Sequence, residues 1–229
     1  MSTPEELMKV KYTVLANEVK EFVNEYGAIM ESSGVYKGVQ ILYSDLIYQP
    51  KFLLIGINPG AGYSKHNNGQ KVSDFDPLEY LRYLGGGFKL ADETEKLFRL
   101  ADAYPLLEEK TVKTNCCFFS TINETKLKVL LDKIMHSGRP EIYREIEAWT
   151  KRIVDMVKPK IIICEGKSAF GKVAVHIEKG ENVWGDGYGY YKSENNIHIL
   201  GYERLYSNII NKEKIAAKIK ELLEVTRKE

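Results

Sequence analysis

Four short strand-like runs, 52–57, 112–119, 161–164 and 197–200, set what this chain can fold into. Phe52-Leu53-Leu54-Ile55-Gly56-Ile57 is the purest of them. A strand with no polar alternation is one covered on both faces, since neither side meets water. Between the runs lie helix-length segments whose apolar residues recur three and four apart. Strands alternating with helices in this way build a mostly parallel sheet with helices on both faces.

The helix signals can be placed individually. Thr3-Pro4-Glu5-Glu6 reads as an N-cap, a proline at the first helical position and a capping-box glutamate. Leu7, Val10, Val14, Phe22 and Tyr26 continue at helical spacing, and Gly27 supplies a stop. Asp76-Pro77-Leu78-Glu79 repeats the start signal, so a helix is expected over 77–84. Further helices are expected over 93–103, 124–135, 141–157 and 168–177, and Asn211 caps a last one. Trp184, Tyr188, Tyr190 and Tyr191, spaced by Gly185, Gly187 and Gly189, suggest a loop or a hairpin. Ligands of such sheets bind beyond the carboxyl ends of the strands. That rule gathers loops 58–75, 120–123, 165–168 and 201–208 around one site.

Composition narrows the function classes. The chain has 229 residues, 44% of them hydrophobic, which suits one large domain rather than a disordered chain. Its 33 basic and 32 acidic residues give no overall basic surplus of the kind dedicated nucleic-acid binders carry. A local basic face stays open. Cys116, Cys117 and Cys164 are too few and too oddly spaced for a disulfide framework or a zinc site, and read as buried thiols. No segment resembles a signal peptide or reaches a bilayer-spanning length, so a cytoplasmic protein is expected.

Two familiar motifs fail. Gly60-Ala61-Gly62-Tyr63-Ser64-Lys65 starts like a dinucleotide fingerprint but has Lys65 where the third glycine belongs. A phosphate-binding P-loop needs Gly-Lys-Ser/Thr after its spacer, and Gly56 is followed five on by Ala61. What remains is Gly56-Ile57-Asn58-Pro59-Gly60, where a buried strand empties into the crevice. Pro59 and Gly60 make a sharp bend, so Asn58 projects from a stiff base. An amide is no general base at neutral pH, but it can position a water and hydrogen-bond a polar substrate.

Leu54-Ile55-Gly56-Ile57-Asn58-Pro59-Gly60 resembles the first motif of the uracil-DNA glycosylase superfamily, nearest its mismatch-specific and single-strand-selective branches. Asn115-Cys116-Cys117-Phe118-Phe119 resembles the strand leading to that family's base-reading asparagine. The stretch 161–170 is similar to the third strand and its helix, and 200–208 sits where the last active-site loop would lie. The resemblance covers roughly 40–229. It implies a three-layer α/β/α sandwich on a central, mostly parallel four-stranded sheet. The chain would be one domain over 1–229, with 1–40 as a helical extension packed on it.

The activity it implies is hydrolysis of the N-glycosidic bond of uracil or another damaged base in DNA, with no metal and no organic cofactor. Asn58 would hold the water, and Gly56, Ile57, Pro59 and Gly60 would shape the pocket around it. Phe75, or Tyr63, would stack on the extruded base. Ser120, or Asn123, falls in the position of the base-reading asparagine. The family's last motif commonly begins His-Pro-Ser, where Gly201-Tyr202-Glu203 stands here. That leaves Tyr202, Arg204 or Tyr206 to supply a donor. These departures keep two rivals in view: a member of the fold that binds nucleic acid or a nucleotide without cleaving it, and an unrelated α/β enzyme acting on nucleosides.

Overall fold

The computed structural model describes residues 2–60, 71–78, 81, 83–84, 87–181, 183–185 and 187–228. In chain order the elements are α1 (Pro4–Ser32), β1 (Gly38–Gln40), β2 (Phe52–Gly56), β3 (Val72–Asp74), α2 (Lys89–Leu100) and α3 (Tyr104–Glu109). Then come β4 (Thr111–Asn115), α4 (Glu124–His136), α5 (Ile142–Val157), β5 (Ile161–Cys164) and α6 (Lys167–Lys172), which runs into a π-helical turn over Val173–Ile177. The chain closes with β6 (Trp184–Gly185), β7 (Tyr188–Lys192), β8 (His198–Tyr202), β9 (Arg204–Leu205), β10 (Asn208–Ile209) and α7 (Lys212–Lys228).

The main sheet has six strands in the order β4-β2-β5-β8-β7-β6. The first four are mutually parallel, while β7 runs antiparallel to β8 and β6 antiparallel to β7. The expected four-stranded parallel sheet is therefore one block of a larger mixed sheet. The reason lies in the segment after residue 183. Its Tyr–Gly alternation is the pattern of a half-covered strand, and β7 is alternately buried and part-exposed. A short turn joins β7 to β8, with the Ser193 N–H donating to the Ile197 carbonyl over 2.9 Å. So short a connection permits only antiparallel pairing.

Successive residues of a strand point to opposite faces, and that alternation explains the unbroken apolar runs. Leu53, Ile55, Val112, Ile162 and Ile199 join one core cluster with the buried sides of α1, α4 and α5. Phe52, Leu54, Ile161, Ile163 and Leu200 join a second with α2, α3 and α7. Both faces of the sheet are covered.

Several boundaries differ from the sequence reading. Helix α1 passes through Gly27 to Ser32, because Met30 is still buried in the core, and the Ser33 N–H caps the end on the Met30 carbonyl. It is tied to α5 by Trp149 Nε1 and Arg152 Nη1, which donate to the two oxygens of Glu18. Of the expected helix 77–84, residues 77, 78, 81, 83 and 84 carry no helical assignment, and 79, 80 and 82 lie outside the described residues. Helix 93–103 begins earlier, at Lys89, and stops at Leu100, where Ala103 and Pro105 start α3. Strand 112–119 ends at Asn115; beyond it only Phe119 bridges to Val39.

Both edges of the sheet are short or covered. The outer side of β4 meets residues 41–44: the Tyr43 N–H donates to the Lys113 carbonyl, the Lys113 N–H to Ser44 Oγ, and Thr114 Oγ1 to the Ile41 carbonyl. At the other side, β6 is two residues long. Among the described residues, no helix is long and apolar enough to cross a membrane.

All three cysteines are free and buried. Burial pushes the thiols of Cys116 and Cys117 up to about 12 and that of Cys164 well above its ordinary value. The thiolate is the reactive form. A disulfide reagent at pH 8 is therefore expected to leave the native protein unlabelled and to titrate three thiols once denaturant is added. Rapid labelling of the folded chain would contradict this packing.

Candidate functional site

The loop 56–60 leaves β2 at its carboxyl end and is laced to the chain following β4. The carbonyls of Gly56, Ile57 and Pro59 accept from the N–H groups of Cys116, Cys117 and Thr121 at 2.8, 3.1 and 3.2 Å. Asn58 rides on this base. Its Nδ2 lies 3.0 Å from the Pro59 carbonyl, 3.5 Å from that of Phe119, 3.4 Å from that of Thr121 and 3.0 Å from Thr121 Oγ1. Three carbonyls can only accept, which settles which end of the amide faces inward. Oδ1 takes none of these bonds and is left as an acceptor. The side chain is half-buried.

Beside it opens a cavity of about 150 Å³, lined by Gly56, Ile57, Asn58, Pro59 and Gly60 together with Tyr43, Tyr83, Phe88, Leu90, Lys113, Asn115, Glu165 and Arg204. Drug-sized ligands occupy roughly 300–1,000 Å³, so this space suits one small ring system rather than a whole nucleotide. The walls are largely aromatic and aliphatic. The floor is ionic: Lys113 and Glu165 form a salt bridge through Glu165 Oε2, with side chains 4% and 3% exposed. The Lys113 ammonium also lies 4.5 Å from the centre of the Tyr83 ring, a cation–π distance.

Local sequence explains how these groups converge. Lys113 and Asn115 are alternate residues of β4, and both turn to the pocket end of the sheet. Glu165 is the first residue after β5, its N–H held by the Ile55 carbonyl of β2 at 2.8 Å. Gly56 makes room for the meeting. A Cβ there would overlap Asn115 Oδ1 and come within 3.3 Å of Glu165 Oε2. Gly166, at φ +122°, does the same for Arg204, whose Nε would sit 3.2 Å from any Cβ. Arg204 spans the rim, with Nε donating to the Glu165 carbonyl at 3.1 Å and Nη1 to the Tyr206 carbonyl at 2.7 Å. Beyond it the β9–β10 turn exposes Leu205 and Tyr206.

Burial, then the neighbouring Glu165 carboxylate, hold the phenols of Tyr83 and Tyr202 well above their ordinary value. Both are neutral donors at physiological pH. Among the described residues, three polar atoms around this centre are buried without a hydrogen-bond partner: Asn115 Nδ2, Glu165 Oε1 and Tyr202 Oη.

The remaining sequence candidates are placed as follows. Gly56, Ile57, Asn58, Pro59, Gly60 and Arg204 line one cavity. Phe75 does not reach it. Its carbonyl accepts from the Tyr12 hydroxyl at 2.7 Å, and it lines a separate depression beside α1. Tyr63 lies outside the described residues. Ser120 is buried behind the loop, with Oγ 3.3 Å from the Gly60 carbonyl. Asn123 is the N-cap of α4, accepting from the Lys126 N–H at 2.9 Å; the Asn-Glu start of that helix is itself a capping signal. Tyr202 is buried in the cluster under α2 and α7. Besides Asn58, the cavity is lined by Asn115, five residues before Ser120.

Sequence reasoning also missed Tyr43, Tyr83, Phe88, Lys113 and Glu165. Only Lys113 and Glu165 left a trace: a charge inside one buried strand and another directly after the next. Charges so placed are rarely buried unless paired. Among the described residues no group of three or more His, Cys, Asp or Glu side chains is placed to hold a metal ion. No protein-family model matches the chain, and no curated protein matches it.

Proposed function

We propose that the chain is a uracil-DNA-glycosylase-like protein, a three-layer α/β/α sandwich that releases uracil or another damaged base from DNA by hydrolysis. One observation carries the reading. Among the described residues, Asn58 is held through Nδ2 by three carbonyls and its Oδ1 has no partner, beside a cavity the size of a nucleobase and at the carboxyl end of a parallel strand. An acceptor so fixed can hold a water in one orientation while the base departs. Cleavage places positive charge on the sugar and negative charge on the base, so fixed dipoles aimed at those charges do most of the work.

The other parts fit the same scheme. Phe88, Tyr83 and Tyr43 supply flat apolar surface for a base drawn out of its stack, in place of Phe75. Arg204 puts a cation at the rim, where a phosphate would pass. Leu205 and Tyr206 offer the neighbouring strand an exposed apolar surface.

The test is incubation with oligonucleotides carrying uracil, hypoxanthine or a mismatch, scored for abasic sites after alkali. Abasic sites from at least one of them, lost with Asn58→Ala, are the expected result. Tight binding without cleavage would overturn the reading in favour of a non-catalytic member of the fold. Release of base from free nucleosides alone would point to a nucleoside enzyme. Affinity for DNA is expected to fall steeply with salt, as phosphate contacts dictate.

A further inference from the structure

Thr121 does not line the cavity, yet its bond to Asn58 gives it a part in the chemistry. We infer that Thr121 is a positioning residue, whose buried hydroxyl sets which end of the Asn58 amide faces the pocket. The inference rests on the proposed function in taking Oδ1 as the end that holds the water.

The hydrogens of the amide show why. Asn58 has two N–H bonds to give, and among the described residues four acceptors lie within 3.5 Å of Nδ2. Two are close, the Pro59 carbonyl and Thr121 Oγ1, both at 3.0 Å. The carbonyls of Phe119 and Thr121 lie further off, at 3.5 and 3.4 Å. The Pro59 carbonyl belongs to the next residue and moves with the bend. Thr121 Oγ1 comes from the segment after β4, 63 residues on. Of the two close contacts, it is the one that ties the side chain to another part of the fold.

A hydroxyl can give or take, and here its surroundings decide. Thr121 Oγ1 donates its one hydrogen to the Asn123 carbonyl at 2.8 Å. That carbonyl opens the hydrogen bonding of α4, accepting the Leu127 N–H at 3.0 Å, while Asn123 Oδ1 accepts the Lys126 N–H at 2.9 Å. The start of the helix therefore fixes the carbonyl, the carbonyl fixes the hydroxyl hydrogen, and the remaining lone pair meets Asn58. A flipped amide would set Oδ1 against an oxygen whose hydrogen is already committed. Thr121 is 0% exposed, so bulk water does not compete for the lone pair, and linked bonds away from water strengthen one another. A threonine hydroxyl bound to the carbonyl two residues ahead is an ordinary local turn. Here the same oxygen also accepts from an amide at the mouth of a pocket.

Thr121→Val and Thr121→Ser separate the hydroxyl from the packing. Valine keeps the shape and loses both bonds, whereas serine keeps the hydroxyl and loses a buried methyl. On an oligonucleotide that the parent cleaves, valine is expected to lower kcat about 10–100-fold, the scale of a misplaced group in a preorganised site. KM should change little, and serine should recover most of the lost turnover. The side-chain NH2 signals of Asn58, assigned by their loss in Asn58→Ala, report the lock without substrate. In the valine variant their exchange with solvent is expected to quicken about 2–10-fold, as for one lost hydrogen bond; in the serine variant it should stay as in the parent. If the valine variant does not fold, Thr121→Cys, a weaker donor and acceptor of similar size, is read in its place. A kcat unmoved by valine, equal losses in both variants, or Asn58 NH2 signals indifferent to valine overturns the inference. Quickened exchange in a protein whose parent yields no abasic sites overturns the glycosylase reading alone.

Discussion

Lys113→Met is expected to lower the stability of the protein by about 3–5 kcal/mol, the usual consequence of removing one partner from a buried ion pair. The reasoning turns on what remains. Glu165 stays 3% exposed, now with neither of its oxygens bound to a cation. Transfer of a lone carboxylate out of water is costly, and among the described residues no other side-chain cation pairs with it, since Arg204 binds the Glu165 backbone instead. For a domain of this size a kcal/mol is worth roughly 2–4 °C in melting temperature, so calorimetry should record a drop of about 6–20 °C. Lys113→Met/Glu165→Leu is expected to recover most of it, because the charges leave together while the volume stays filled. A single variant as stable as the parent would mean that water reaches the pair.

Asn58 carries the second large effect, and its two obvious variants separate structure from catalysis. Asn58→Ala removes the donor shared by the carbonyls of Pro59, Phe119 and Thr121. Stability is expected to fall by about 1–3 kcal/mol for the acceptors left unpaired. Base release is expected to fall by about 10²–10³, the scale seen when one fixed polar group is lost from a site that works by electrostatics. Asn58→Asp keeps the shape but turns an oxygen toward three carbonyls. It should be less stable than Asn58→Ala in urea unfolding, although it is closer in size. If the aspartate variant proved the more stable, Nδ2 would not be the inward end of the amide, and Oδ1 would not be free to hold water.

Much of the architecture was legible because burial imposes it on composition. The runs at 52–57 and 161–164 are apolar at every position except Gly56, and both faces of those strands are indeed covered. The Gly-Ile-Asn-Pro-Gly bend was legible for a similar reason: proline and glycine state their backbone requirements openly. The edge hairpin was harder. Its glycines break the apolar run that marks a buried strand, and only the alternation of Tyr188, Gly189 and Tyr190 hints at pairing. Gly27 misled as a helix stop because the packing of Met30 outweighs the small penalty of a helical glycine. Half of the pocket was beyond reach, since Tyr43, Tyr83 and Phe88 are brought to it by tertiary folding alone. In the sequence Asn115 is one residue of a strand leading to a site, and the strand's own register places it among the residues that line the cavity.

The short β6 and the strip of chain over β4 carry a further consequence. Bare strand edges are templates on which a second molecule can nucleate cross-β growth. Here one flank is sealed by residues 41–44 and the other shrinks to Trp184 and Gly185. Concentrated solutions of the native protein should therefore resist amyloid seeding, and any tendency to form fibrils should begin with release of the 41–44 strip rather than with melting of the sheet.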